Sequence, residues 1–272
     1  MLGTVVHLVG ARQGRPNLPA SGCPFCVGGL EAPEPYDVRW FPNRWPAMDG
    51  ERCEVVLYTP DHDAAFGSLS AEQAGRVVEL WTRRTEQLGR RPDVDYVLVF
   101  ENRGREVGAT IAHPHGQIYA YDHVPSRQAR RLAGGWRPDL AAGDRLVAEC
   151  DGWVAWVPHA PKFPIAIDVA PTERYPDLMT LGERRVGLAD VLVDVLGRLD
   201  RLYGEPVPYM LWLNQSPTVT SGYDDAWFNV EIVSPWRAAG LERFIAAAEV
   251  ASDEYFNPVI PEELAARLRA AR

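Results

Sequence analysis

Two segments of this chain share one order of predicted elements, and this repeat constrains the fold more than any other feature. In the first, an extended stretch at 53–59 precedes a helical pattern and an apolar strand at 93–102. In the second, extended stretches within 153–171 precede a helical pattern and a strand at 207–215. The repeat predicts an α+β fold of two duplicated halves, with a mostly antiparallel sheet and flanking helices.

Both predicted helices have one apolar face and an N-terminal signal. Ser70 with Gln73, and Thr180 with Glu183, have the spacing of capping boxes. Gly89 predicts the end of the first helix. The residues expected to face the core are Ala74, Val77, Val78, Trp81, Thr85 and Leu88 in the first helix, and Leu188, Val191, Leu192, Val195, Leu199 and Leu202 in the second.

The repeat also divides the chain. We predict an N-terminal half at 1–123, a connector at 124–149 rich in Arg, Gly and Pro, and a C-terminal half at 150–272 that ends in a helix behind Pro261. Aligning Tyr209 with Tyr96 without a gap puts Ala226, Phe228 and Val230 in the places of His113, His115 and Gln117. The second half is therefore expected to keep the scaffold and to lack the chemistry of the first.

Composition narrows the class of protein. The chain has 272 residues, 46% of them hydrophobic, and a formal net charge of −9. Such acidity disfavours binding to nucleic acid or to an anionic membrane. No apolar run approaches the length of a membrane span, and the first residues do not resemble a signal peptide. We therefore expect a cytoplasmic protein whose four cysteines are reduced.

Cys23 and Cys26 form a C-x-x-C pair, CPFC, which suits one tetrahedral metal ion. Histidine is the natural complement, and His62 and His113 are the best placed. A redox pair is the rival interpretation. We favour the metal site because CPFC lies in a loop-like stretch and not between a strand and a helix.

The segment HPHGQ carries His113 and His115 on either side of Pro114. Both histidines could be metal ligands, or one could be an ordinary core residue. The sharper hypothesis makes one a ligand and the other a nucleophile, since a neutral imidazole attacks phosphorus well near pH 7. A backbone carbonyl bound to its other nitrogen would fix the tautomer. Gln117 can donate to a phosphoryl oxygen without exchanging a proton, which favours transfer over hydrolysis.

Arg12 and Arg15 form a cationic pair near the N-terminus. A solvated loop is the simplest interpretation. If the chain transfers phosphate groups, they become candidate phosphate ligands, because guanidinium matches phosphate geometry.

These motifs carry a family resemblance. HPHGQ, preceded by FENRGREVGAT and joined to CPFC and TPDH, resembles the galactose-1-phosphate uridylyltransferase family, the transferase branch of the histidine-triad superfamily. The resemblance implies that His115 carries the nucleotidyl group and that Gln117 holds the transferred phosphate. It also implies one structural Zn²⁺ bound by Cys23, Cys26, His62 and His113.

The resemblance extends to substrate-binding positions and to assembly. It assigns Arg12, Arg15, Asn102 and Thr110 to the phosphates, Phe41 and Asn43 to the base and ribose, and Arg243 and Phe244 to the hexose phosphate. It also implies a homodimer with shared active sites, which acts on a UDP-sugar and a hexose 1-phosphate.

Two departures from the family pattern matter. Val230 and Ile232 stand where better-known members have histidines of a second metal site, so no second metal is expected. Arg44 replaces the aspartate that follows Asn43 in the family, which leaves the base open.

The sequence therefore leaves three hypotheses for the function. The first is a ping-pong transferase that converts UDP-glucose and galactose 1-phosphate to glucose 1-phosphate and UDP-galactose. The second is an ADP-glucose or dinucleoside-tetraphosphate phosphorylase or adenylyltransferase that uses the same histidine. The third is a zinc-stabilised nucleotide-binding protein without turnover.

Overall fold

A nine-stranded antiparallel sheet forms the centre of the computed structural model, which describes residues 5–14, 22–218 and 222–272. Its strands are β1 (Arg39–Pro42), β2 (Cys53–Leu57), β3 (Tyr96–Arg103), β4 (His115–Tyr121), β5 (Leu146–Cys150), β6 (Trp153–Trp156), β7 (Ile165–Pro171), β8 (Tyr209–Asn214) and β9 (Asn229–Ser234). Their order across the sheet is β1-β2-β4-β3-β8-β9-β7-β6-β5. Apart from the edge strand β5, this order is symmetric about the β3–β8 pair, as expected for two similar halves. The domain limits stay a prediction. Strand β5 crosses the predicted limit between the connector and the C-terminal half, at residues 149 and 150.

Five α-helices accompany the sheet in the described parts of the chain: α1 (Ala71–Gly89), α2 (Ser126–Ala133), α3 (Arg184–Leu202), α4 (Ala247–Ser252) and α5 (Pro261–Ala270). A small hairpin, β10 (Trp236–Ala238) and β11 (Leu241–Glu242), precedes α4. Helices α1 and α3 pack against one face of the sheet and enclose the main core. The predicted helix behind Pro261 is confirmed as α5. None of these helices is long and apolar enough to cross a bilayer.

Helix α1 follows the prediction closely. The Ser70 hydroxyl caps it by accepting from the Gln73 N–H at 3.1 Å, and the helix ends at Gly89. The Gln73 side chain donates to the Tyr58 carbonyl at 2.6 Å, so it ties the helix to β2. All six residues of the predicted apolar face are buried. Burial of this face holds α1 on the sheet.

The capping box predicted at Thr180 is wrong. Helix α3 begins only at Arg184. The Thr180 N–H donates to the Asp177 carboxylate and its hydroxyl donates to the Asp177 carbonyl, both at 2.9 Å. Thr180 therefore belongs to a turn before the helix. The apolar face of α3 is buried as predicted, except that Leu202 is half-buried.

The gap-free alignment of the two halves gives the correct strand partners but the wrong face. Phe100 pairs with Gln117, and Leu213 pairs with Val230, as that alignment requires. Phe100 also pairs with Trp212 across the junction of the halves, so these two share a face and Leu213 points the other way. Val230 lies in the core under α3, whereas Gln117 faces away from α1. A shift of one residue reverses every side chain of a strand.

Two polar residues of β9, Asn229 and Glu231, share the face of Gln117. Helix α2 covers them, because Arg127 pairs with Glu231 at 2.6 Å and Arg131 donates to the Asn229 side chain at 2.7 Å. Burial raises the pKa of the neighbouring Asp168 to about 8. The corresponding face of the second half is thus filled by an ionic cluster, whereas that of the first half is open.

Candidate active site and metal centre

His115 opens β4 and lies between two strands that hold its backbone. It pairs with Leu57 of β2, and β3 runs along the other side of β4. The His115 Nδ1 lies 2.8 Å from the His113 carbonyl oxygen. Because a carbonyl can only accept, Nδ1 carries the proton and Nε2 carries the lone pair. The predicted carbonyl partner is therefore confirmed, and it fixes the tautomer that a nucleophile needs.

Hydrogen bonds also fix the orientation of Gln117. The Trp45 N–H donates to Asn43 Oδ1 at 2.9 Å, so the other end of the Asn43 amide must be its donor. Asn43 Nδ2 then donates to Gln117 Oε1 at 3.2 Å. Gln117 keeps its Nε2 group as a donor, which is the group that a phosphoryl oxygen requires.

A cavity of about 690 Å³ is lined by half of the predicted site residues. Its lining includes Cys23, Cys26, Phe41, Asn43, Thr110, His115 and Gln117. Phe41, Val55 and Gln117 form a row across β1, β2 and β4. Phe25 packs against this row, with its ring centroid 5.7 Å from that of Phe41 and 5.0 Å from that of His115. The volume and the aromatic wall suit a nucleotide-sized ligand.

Cys23, Cys26, His62 and His113 offer ligand atoms that all lie within 4.8 Å of one another. Cys26 Sγ lies 3.4 Å from His62 Nδ1 and 3.6 Å from His113 Nδ1. Tetrahedral zinc, with bonds of about 2.3 Å to sulfur and about 2.0–2.1 Å to nitrogen, separates its ligand atoms by about 3.3–3.8 Å. The cluster therefore fits one metal ion. Burial, followed by the adjacent Cys23, raises the pKa of Cys26, and a bound cation would offset this by stabilising the thiolate.

The surroundings of this cluster hold it in shape. His113 Nε2 donates to the Thr59 carbonyl at 2.8 Å, which leaves Nδ1 to face Cys26. Burial lowers the pKa of His113 and so favours the neutral form that binds metal. Gly29 closes the C-x-x-C loop, and a Cβ there would come within 2.7 Å of the Cys23 carbonyl oxygen. Only glycine allows this turn.

The remaining predicted substrate-binding residues lie outside the large cavity. Asn102 lines a small cavity of about 30 Å³ that also touches His113 and His115. Arg12 lines a separate cavity of about 660 Å³, and Arg15 lies outside the described residues. Arg243 forms a buried ion pair with Glu249, and Phe244 is 78% exposed. Within one chain, the structure does not bring Arg12, Arg243 or Phe244 to the large cavity.

Sequence reasoning missed several residues of this cavity, among them Phe25, Glu31 and Trp45. Glu31 pairs with Arg44 at 3.1 Å, and both side chains line the cavity. Trp45 adds a third aromatic residue to the wall. Trp45 could have been predicted from its place close to Asn43 in the sequence. Nothing local marks Glu31, because it reaches the cavity only through the fold of the loop that carries Cys23 and Cys26.

Gly116, between His115 and Gln117, is sterically obligatory. A Cβ there would lie 2.2 Å from the Tyr58 hydroxyl oxygen and 3.1 Å from the Phe100 carbonyl oxygen. We expect Gly116→Ala to destabilise the fold by about 1–3 kcal/mol and to lower activity, because the strand beside His115 must move. Gly75→Ala is the matched control, since its Cβ meets nothing within 4 Å in helix α1 and should be neutral or stabilising. Equal denaturation midpoints for the two variants would contradict this.

Comparison with known proteins agrees with the motifs. A sequence model of the family described as galactose-1-phosphate uridyl transferase, N-terminal domain, matches residues 45–125. The chain is 42% identical to the galactose-1-phosphate uridylyltransferase of Streptomyces lividans over 232 residues, which cover 76% of this chain and 66% of that protein. It thus spans just under two thirds of that relative.

A second relative and a solved structure match over almost the whole chain. The galactose-1-phosphate uridylyltransferase of Thermotoga maritima is 33% identical, over 95% of this chain and 92% of that protein. A solved structure described as that of uridylyltransferase superposes with a TM-score of 0.87 at 28% identity, covering 93% of this chain and 92% of the other. The chain therefore belongs to the galactose-1-phosphate uridylyltransferase family.

Proposed function

We propose that this protein is a UDP-glucose–hexose-1-phosphate uridylyltransferase that works through a covalent uridylyl-histidine. The observation that carries the proposal is the His115 imidazole, which the His113 carbonyl holds with its lone pair on Nε2 inside a nucleotide-sized cavity. Family membership supports the same activity.

Two displacements at one phosphorus atom complete the reaction. His115 Nε2 attacks the α-phosphorus of UDP-glucose, and the bond to the bridging oxygen breaks, which releases glucose 1-phosphate. A phosphate oxygen of galactose 1-phosphate then attacks the uridylyl group. The P–N bond breaks, UDP-galactose leaves, and Nε2 regains its lone pair. Neither leaving group needs a proton from the protein, which agrees with a glutamine at position 117.

Gln117 Nε2 would stabilise the charge that develops on the phosphoryl oxygens. Asn43→Asp tests this assignment, since aspartate keeps the bond to the Trp45 N–H but cannot donate to Gln117 Oε1. Gln117 should then turn its amide toward the new carboxylate and its carbonyl toward the phosphate. We expect kcat to fall by about 10²-fold, as for loss of one donor to a transition-state oxygen. Asn43→Ala should cost less, because Gln117 stays free to rotate. An Asn43→Asp enzyme as active as Asn43→Ala would contradict the assignment.

Zinc is the metal that best fits the donor set of two thiols and two imidazoles. Cys23, Cys26, His62 and His113 would hold one ion in a structural role, which would anchor the loop that carries Phe25 and Glu31 to β4. With all four positions taken by protein ligands, the ion would stabilise the fold and not activate substrate. No second metal is part of the proposal.

We further propose that the protein acts in galactose metabolism, in the cytoplasm and as a homodimer, without nucleic-acid or membrane partners. Arg12, Arg15, Asn102 and Thr110 would bind phosphates, Phe41 and Asn43 the nucleoside, and Arg243 and Phe244 the hexose phosphate. A shared site would account for Arg12, Arg243 and Phe244, which lie away from the cavity of their own chain.

A nucleotide panel separates this function from its closest rival. Purified protein is supplied with UDP-glucose and galactose 1-phosphate, with ADP-glucose and phosphate, or with diadenosine tetraphosphate and phosphate, and products are separated by ion-exchange chromatography. We expect UDP-galactose and glucose 1-phosphate from the first mixture at a kcat/KM at least about tenfold above the others. Faster turnover of either adenine nucleotide would move the assignment to an adenylyltransferase or phosphorylase. Binding without turnover in every mixture would leave only a nucleotide-binding protein.

A further inference from the structure

Three buried polar side chains lie behind the nucleophile, on the face of the sheet opposite the cavity. They are Glu101 of β3, Tyr58 just after β2 and Tyr209 of β8, with exposures of 3%, 0% and 0%. Phe100 pairs with Gln117, so the next residues along the ladder place Glu101 beside Gly116. None of these three residues is used by the reaction described above.

Glu101 connects the two halves of the chain. The Tyr209 hydroxyl, from the second half, donates to Glu101 Oε1 at 2.6 Å. Burial raises the pKa of Glu101 to about 7, so this carboxyl group depends strongly on its partners. Its other oxygen, Oε2, is buried without a hydrogen-bond partner among the described residues.

Tyr58 connects Glu101 to the strand of the nucleophile. Its hydroxyl covers Gly116, in the space that a Cβ would fill. Its N–H donates to the Pro114 carbonyl at 3.3 Å. Tyr58 thus contacts the residues on both sides of His115. Its hydroxyl oxygen is likewise buried without a partner within the described chain, and burial and then Glu101 raise its pKa.

The two unpaired groups complement each other. A tyrosine hydroxyl can donate to a carboxylate oxygen, and leaving both buried and unpaired is costly. Glu101 and Tyr58 are close enough for the Glu101 carboxyl group to raise the pKa of Tyr58, after burial itself. A direct hydrogen bond from the Tyr58 hydroxyl would complete a chain from Tyr209 through Glu101 to Tyr58.

We propose that Glu101 is a positioning residue for the nucleophile: it holds Tyr58 against Gly116 and, through Tyr209, makes the placement of His115 depend on the second half. The inference rests on the proposed function, because it concerns the step in which His115 is uridylylated. Displacement of a reacting group by about 1 Å can slow a reaction by about 10²-fold. Loss of the network should therefore slow chemistry more than it weakens substrate binding.

A double-mutant cycle on the rate of uridylylation tests this. Single-turnover rates with saturating UDP-glucose are measured for wild type, Tyr58→Phe, Glu101→Leu and the double variant, together with the Kd for UDP-glucose and the zinc content. We expect each single variant to react about tenfold to a hundredfold more slowly, with Kd changed less than about threefold. The double variant should be no slower than Glu101→Leu alone, since both changes break the same link. Glu101→Gln, which still accepts hydrogen bonds, should recover part of the rate.

Tyr96→Phe is the matched control, because Tyr96 is also fully buried and its hydroxyl accepts from the Gln215 N–H, away from the nucleophile. It should alter stability without altering the uridylylation rate. Strictly multiplicative effects in the double variant, or single-variant rates within about twofold of wild type, would overturn the positioning role. Failure of wild type itself to form the adduct would instead overturn the proposed function, so the two failures are distinguishable.

Discussion

Replacement of His115 by alanine is expected to abolish uridylyl transfer, with a loss of at least about 10³-fold in kcat. In the proposed mechanism Nε2 forms the bond to phosphorus in the first half-reaction and releases it in the second, and alanine offers no atom that can replace it. His115 supplies none of the four clustered ligand atoms. The variant should therefore keep its metal and its fold. The measurement is product formation from UDP-glucose and galactose 1-phosphate, with metal content determined on the same sample.

His123→Ala provides the control for this experiment. His123 is partly exposed, and its ring lies 2.8 Å from the Asp122 carboxylate and outside the cavity. Its loss should leave turnover near the wild-type rate. A His115→Ala enzyme with turnover within about tenfold of wild type would contradict the assignment of His115 as the nucleophile.

Replacement of Cys26 by serine should have the largest effect on stability. Cys26 Sγ lies close to both histidines of the cluster, so its replacement would remove one of the four ligands of the proposed metal ion. A serine hydroxyl binds zinc poorly near pH 7, and metal-binding free energy contributes directly to folding. We expect the variant to lose its metal and its melting temperature to fall by about 10 °C or more. Activity should fall with it, because the loop that carries Cys23 and Cys26 also forms one wall of the cavity.

Cys150→Ser separates loss of the metal from loss of any thiol. Cys150 is half-buried on β5, and its thiol lies outside the cluster. Its replacement should leave metal content unchanged and melting temperature nearly so. A strong chelator should reproduce the Cys26→Ser transition in wild type and produce no further shift in the variant. Full metal retention by Cys26→Ser would show that the four residues do not act as one site.

Local patterns predicted the parts of the fold that local forces decide. The face of α1 from Ala74 to Leu88 is buried because an amphipathic helix has one way to lie on a sheet. The carbonyl partner of His115 was predictable because the ring of Pro114 restricts the backbone between residues 113 and 115. Cys23, Cys26, His62 and His113 come together as the motifs indicated, since two thiols and two imidazoles are a set of side chains that suits one tetrahedral ion.

Long-range pairing decided what local patterns could not. The side of the sheet on which Val230 lies depends on the register in which β3 pairs with β8. A one-residue shift of that register moves every side chain of the strand to the opposite face without changing the apolar pattern of its sequence. Arg243 lies in a buried ion pair with Glu249, which the arginine alone does not reveal. Glu31 and Glu101 acquire their surroundings from segments distant in sequence. Their environments follow from tertiary structure only.

The most direct test of the central claim is the mass of the intact protein after mixing with UDP-glucose alone. We expect a species heavier by one uridylyl group, located on His115 by peptide mapping and absent from His115→Ala. Galactose 1-phosphate should discharge it and yield one equivalent of UDP-galactose. Steady turnover without any such species on rapid quenching, or an adduct on a residue other than His115, would contradict transfer through this histidine.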